Sequence, residues 1–224
     1  MGTIYPEAHL SPRAEPTGER SHLRAFPLSE MRRLGHGFNT VDSVLDFLDV
    51  EHSERYARTL RDTFCNIYAH DALRLCGRYI PRVWWDDAAL AKIIRGEQVV
   101  AKYPGWDPVT KREIQGSGTI RELNANSLLD WTRDYARHFG WQVGLSEADA
   151  VEAVNESGVP GYIVARAPHG TGHIAVIVPN NVRGAPVPPD GPVMSQAGAR
   201  NHRVFCSRWW KLKTQGFDSV LFAW

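Results

Sequence analysis

A change of period near residue 160 constrains this chain more than any other feature. Before it, apolar residues recur at helical spacing. In Thr40–Asp49, for example, Val41, Val44, Leu45, Phe47 and Leu48 outline one amphipathic helix. After it, short runs rich in β-branched residues stand between glycines and prolines: Gly161–Ala167, His173–Val178, Pro192–Ala197 and Phe217–Trp224. Helices first and strands afterwards predict an α+β fold, N-terminal helices packed on a C-terminal antiparallel sheet. No internal repeat interrupts this order. Residues 1–26, rich in Pro, Glu, Arg and Ser, read as a flexible N-terminal arm, and 27–224 as a single domain. Within it, 97–120 reads as a loop-rich insertion, since Pro104, Gly105, Pro108, Gly116 and Gly118 break every period there.

Local signals sharpen the outline. Ser29–Leu34 fits a short helical turn, and a helical segment is expected around Glu54–Leu60. Asp62–Thr63 can cap a helix that begins at Cys65, and Gly77 is a natural stop for it. Tyr79–Trp85 is aromatic and proline-containing, hence extended. Asp86–Arg95 reads as a helix closed by Gly96. Ser127 with Asp130, and Ser146 with Asp149, have capping-box spacing for two further helices, ending near Gly140 and Gly158.

Composition excludes several classes. A chain of 224 residues with 26 basic and 25 acidic side chains carries a net charge of +1, so no electrostatic draw toward nucleic acid is expected. No stretch is apolar enough for a transmembrane helix, and the N-terminus has no run of signal-peptide type. The cysteines number three, an odd count at irregular spacing. That is not a disulfide framework, and it points to reactive or buried thiols. No spacing of zinc-ligand type appears, so neither a metal nor a cofactor is expected.

The chemistry concentrates around Cys65. At helical spacing Cys65, Ala69, Ala72 and Cys76 form a face of small side chains, able to approach a neighbouring layer closely. Cys65 lies in the first turn, where unpaired N–H groups and the helix dipole favour a thiolate. Such a thiolate needs a base. Gly172–His173–Ile174–Ala175–Val176–Ile177 offers one on a strand, where His173 points the same way as Ala175 and Ile177. If the small face packs on that side of the sheet, thiol and imidazole meet as nucleophile and base. Gln196, on the following strand, is placed to orient the imidazole through its side-chain carbonyl. The Cys65 backbone N–H would be one oxyanion donor.

These three segments resemble the papain-like cell-wall peptidases and amidases of the NlpC and CHAP types, including amidase effectors of type VI secretion. Cys65 stands where that family has its nucleophile and His173 where it has its general base. Met194–Ser195–Gln196–Ala197–Gly198 resembles the family's Met-Ile-His-Ala-Ser pattern, with Gln196 in the histidine's position. Phe64–Cys65–Asn66–Ile67 departs from the usual Asp-Cys-Ser-Gly, which leaves the subfamily unassigned. The resemblance implies a papain-like fold, no metal, and cleavage of amide bonds in peptidoglycan stem peptides. Without a signal peptide, it implies an injected antibacterial effector or a lysin acting in the periplasm of a target cell. An immunity protein or a secretion-apparatus carrier would then be a partner. A toxin that cleaves or deamidates a host protein, or a non-catalytic binding member of the fold, is the alternative.

The remaining candidates have weaker signals. Trp84, Trp85 and Trp106 surround the insertion and read either as core or as an aromatic wall for a glycopeptide. Asn66 and Asn124 are expected to contact substrate, although Asn124 and Asn126 also fit turn and cap positions. Cys76 and Cys206 read as core filler, Asp71 as a structural or surface carboxylate, and His70, His169 and His202 as exposed or loop histidines. Trp209–Trp210 is expected to pack on the sheet's outer face.

Overall fold

The computed structural model describes residues 4–8, 38–60, 62–107, 109–110, 112–114, 116–187, 190–212 and 216–224. Of the expected arm only 4–8 are described, and the turn expected at Ser29–Leu34 lies outside the described residues. Residues 4–8 have no regular structure but are held: the Trp85 indole N–H donates to the Pro6 carbonyl at 2.9 Å, and Ala8 is buried.

In chain order the elements are α1 (Val41–Leu48), a 3-10 turn (Glu54–Tyr56), α2 (Cys65–Leu75), β1 (Val83–Trp85), α3 (Asp87–Ile94), β2 (Trp106–Asp107), β3 (Arg112–Glu113), β4 (Ile120–Glu122), α4 (Ala125–Asp134), a 3-10 turn (Ala136–Phe139), α5 (Glu147–Ser157), β5 (Gly161–Arg166), β6 (His173–Ile177), β7 (Val193–Gln196), β8 (His202–Cys206), a 3-10 turn (Trp209–Lys211) and β9 (Ser219–Ala223). Helices precede a five-stranded antiparallel sheet, and the class is α+β as expected.

The chain groups into two compact units. The smaller holds Pro81–Leu123 with the described part of 1–28, and the span 97–120 falls inside it. Here β1 pairs antiparallel with β4, and β2 with β3 as a short hairpin. The larger unit holds the rest of the described chain. Its sheet runs β8-β7-β6-β5-β9, so the strand bearing His173 is central.

The helix ends follow the cap chemistry, with two corrections. Thr40, Asp86 and Ser146 each accept a bond from the backbone N–H three residues on, as cap residues do. The cap of α4 is Asn124, whose side chain accepts from Ser127 N–H, so the box expected at Ser127 begins one turn too late. Asp62 does not cap α2 either. It turns back to Thr59, while Phe64 occupies the N-cap with no side-chain bond. The other end of α2 matches its signal. Gly77 has φ of 76°, Arg78 N–H donates to the Leu73 carbonyl and Gly77 N–H to the Arg74 carbonyl, the paired bonds of a Schellman stop.

The two faces of the sheet are packed differently. One carries Ile163, Ala165, Ala175, Ile177, Met194 and Phe222 against Ala150 and Val154 of α5 and against Trp209 and Trp210. The expected packing of the tryptophan pair on the sheet is therefore found. On the opposite face lie Tyr162, Val176 and Ser195, which are register partners across β5, β6 and β7. Tyr162 meets Thr132 of α4 at 3.0 Å, and the Tyr68 hydroxyl of α2 bonds Ser195. Helix α2 thus packs on the Ser195 face, not on the Ala175 and Ile177 face that its small residues were expected to seek. A physical reason is visible along the helix. Ile67, Tyr68, Ala69, His70, Asp71, Ala72 and Leu73 are all buried, so α2 is enclosed all round and its small stripe does not by itself choose the layer.

Strand β8 was missed in the sequence. His202–Cys206 is a half-buried edge strand, and its register with β7 is shifted by a bulge between Met194 and Gln196. Arg203 leaves the edge to pair with Asp42 at 2.7 Å and Asp46 at 2.8 Å on α1, which covers this side of the sheet. The segment expected to be helical over Glu54–Leu60 is helical only for Glu54–Tyr56.

Candidate active site

Cys65 is the first residue of α2 and is 5% exposed. His173 is the first residue of β6 and is half-buried. Although α2 lies on the other face of the sheet, the two side chains are hydrogen-bonded, because the helix start meets the strand at its very beginning. The Ile174 backbone N–H donates to the sulfur, as does that of Asn66, fixing the thiol beside the strand's first peptide units. The His173 Nε2 lies 2.7 Å from Gln196 Oε1. The Gln196 amide nitrogen donates to the Arg200 carbonyl at 3.3 Å, which settles which end of that amide faces the ring. Nε2–H therefore donates to Gln196, and Nδ1 is the nitrogen left for the thiol.

The electrostatics agree with this geometry. Burial alone would raise the Cys65 pKa, but the hydrogen bond and charge of His173, helped by the Ile174 and Asn66 N–H groups, pull it below the ordinary thiol value. Burial would likewise lower the His173 pKa, yet the Cys65 hydrogen bond and charge, then the Gln196 bond, carry it above the usual imidazole value. Both shifts favour the same state, a thiolate beside an imidazolium. That pair can attack an electrophilic carbon and then return a proton to the group that leaves.

The surroundings of the pair are built from residues with weaker sequence signals. Trp209 is 6% exposed and sets its ring edge-to-face with the His173 imidazole, centroids 4.8 Å apart. Gly198 lies close beside the ring: a Cβ there would stand 3.2 Å from His173 Cε1, a tight contact that the ring would have to yield to by a few tenths of an ångström. Asn201 accepts from Gly198 N–H at 3.0 Å and donates to the Val50 and Tyr56 carbonyls, tying the β7–β8 turn to the chain ahead of α2. Asp71, 1% exposed, takes Arg55 Nε at 2.7 Å and the Tyr56 hydroxyl at 2.8 Å, a structural carboxylate within α2. His70 is a correction: it is buried, with Nδ1 at 2.6 Å from the Ile80 carbonyl, because its helix position faces inward. His202 is also corrected, from loop to strand β8, and His169 is exposed as expected. Nothing but the spacing of Asn201 and Gly198 after Gln196 could have hinted at this shell.

The expected substrate-contact residues fare unequally. Asn66 is half-buried and lends its backbone N–H to the sulfur. Trp84 and Trp85 are 1% and 3% exposed, and a ring closed off in this way offers no wall to a ligand, so both read as packing residues. Trp106 lies in β2, and its side chain is outside the described part. Asn124 uses its amide as the cap of α4, and that bond, not substrate, explains it. Cys76 and Cys206 are half-buried thiols whose pKa burial pushes up, that of Cys76 to about 12. Among the described residues no three His, Cys, Asp or Glu side chains gather as a metal site, and no helix is long and apolar enough to cross a membrane.

No family model matches the chain, nor does any curated protein or solved structure. The functional reading therefore stands on the site.

Proposed function

We propose that this protein is a cysteine hydrolase of papain-like fold that cleaves amide bonds in bacterial peptidoglycan peptides. One observation carries the proposal: Cys65, His173 and Gln196 form a continuous hydrogen-bonded series, with Cys65 shifted toward thiolate and His173 toward imidazolium. In the proposed reaction the Cys65 sulfur attacks the substrate carbonyl carbon and a C–S bond forms. The oxyanion that develops lies at the α2 N-terminus, where the Cys65 backbone N–H and the helix dipole favour negative charge. His173 Nδ1–H passes its proton to the amine as the C–N bond breaks. Water then enters, Nδ1 accepts its proton, a C–O bond forms and the C–S bond breaks, which frees the acid and restores the thiolate. Gln196 holds the ring so that Nδ1 faces the sulfur throughout.

The peptidoglycan target, and action as an effector or lysin in a target cell's periplasm, follow from the likeness of the three motifs to the NlpC and CHAP enzymes. Purified protein incubated with peptidoglycan should release peptide fragments carrying new amino and carboxyl ends, and the Cys65→Ala variant should release none. Release of ammonia without fragments would instead favour the deamidating toxin. Equal turnover by Cys65→Ala would overturn the hydrolase reading.

A further inference from the structure

The geometry points to Asn126 as the positioning residue for His173: its side-chain amide staples the two legs of the β5–β6 turn and so sets the peptide from which the imidazole projects. This rests on the hydrolase reading above. The turn spans 167–172, includes Gly170 and Gly172, and is exposed from Pro168 to Thr171. Such a turn has much backbone freedom to lose, and His173 comes immediately after it.

Asn126, in the first turn of α4, removes that freedom from both sides. Its Nδ2 donates to the Gly170 carbonyl at 3.1 Å, and its Oδ1 accepts from Ala167 N–H at 3.3 Å. The Asn126 backbone carbonyl also accepts from Arg166 Nη2 at 3.3 Å, while Arg166 pairs with Asp130 at 2.5 Å. The staple is close as well as polar. A Cβ on Gly172 would lie 2.5 Å from Asn126 Oδ1 and 2.1 Å from the Ala165 carbonyl. Position 172 is therefore restricted to glycine, and the chain enters His173 along one path. His173 then pairs with Ala165 in the first rung of β6. Asn126 acts on the reaction through that path.

The neighbouring Asn124 has a different job, capping α4. An aspartate at 126 would keep the Oδ1 acceptor for Ala167 N–H and lose the donor to Gly170, while an alanine would lose both. The test measures three things on the full-length chain: Cys65 alkylation by iodoacetamide at pH 7, peptide release from peptidoglycan with kcat and KM separated, and the thermal midpoint. Asn126→Ala should slow alkylation and lower kcat by roughly ten- to a hundredfold with KM little changed, the scale on which small misplacements act. Asn126→Asp, which keeps the Ala167 bond but sets a second acceptor against the Gly170 carbonyl, should also lower both. Ser146→Ala, which removes the cap of α5, should lower the midpoint while leaving alkylation and kcat as in the parent. If Asn126→Ala lowers the midpoint but alkylates and turns over like the parent, Asn126 is structural and the inference fails. Should Asn126→Ala not fold, Asn126→Asp decides: parental kcat and alkylation overturn the inference, and a loss of both supports it. If the parent's Cys65 alkylates no faster than an ordinary thiol, the hydrolase reading falls first and the inference with it.

Discussion

Helix α2 has a cysteine at each end, and the two are chemically opposite. Cys65 opens the helix, touches His173 and two backbone N–H groups, and has its pKa drawn down. Cys76 caps the other end, meets no cation, and burial pushes its pKa up to about 12. Burial opposes the thiolate in both cases, so burial does not separate them. The partner does: an imidazole that can carry charge, together with N–H donors at the helix start, outweighs desolvation. The difference shows that the ionisation of a buried cysteine is set by what the rest of the fold brings to it.

Experiments can break or sharpen this contrast, beginning with the largest effect. Cys65→Ala should reduce peptide release at least about a thousandfold, and Cys76→Ala should leave it unchanged, by the logic of removing a nucleophile rather than a filler. His173→Ala should make the ends alike: Cys65 alkylation at pH 7 should fall by about tenfold or more, toward the slow labelling of Cys76, as read by mass spectrometry of the labelled peptides. The pH profile follows from the directions of the two shifts. Turnover needs the thiolate and the imidazolium together, so it should rise through a Cys65 pKa below 9.0 and fall through a His173 pKa above 6.5. A single rising limb near the ordinary thiol value would mean that the pair is not coupled. Trp209→Leu, which removes an aromatic contact of about 1 kcal/mol, should narrow that bell from its basic side by releasing the ring, with a modest loss of kcat. The smallest effect belongs to the far end. Gly77→Ala, at φ of 76°, should cost about 1 kcal/mol in urea unfolding and spare alkylation of Cys65.

Much of the fold was readable because its signals are local. The switch from helical to strand period, the cap at Ser146 and the glycine after α2 each depend on a few neighbouring residues. The meeting of Cys65, His173 and Gln196 was legible for a related reason: Cys65 at a helix start and His173 on a strand behind a glycine are both local signatures, and Gln196 follows on the next strand. What the sequence hid is non-local. The face of the sheet that receives α2 and α4 is settled by contacts such as Tyr68 with Ser195 and Thr132 with Tyr162. These join residues far apart in the chain, and neither pair has a period or a motif. Strand β8 escaped because an edge strand held by Arg203 to Asp42 and Asp46 looks like a polar turn. Asn124 and Asn126, two residues apart, looked interchangeable, and only their partners distinguish a helix cap from a staple on the β5–β6 turn.

The enclosure of α2 has a consequence for how the protein comes into being. The ribosome makes Cys65 first, and His173 and Gln196 follow only 108 and 131 residues later. Until β6 and β7 have paired and closed over the helix start, the sulfur has neither its imidazole nor the Ile174 N–H, and it is an ordinary thiol. The shift of Cys65 toward thiolate is thus a property of the closed fold, absent until β6 and β7 have met the start of α2.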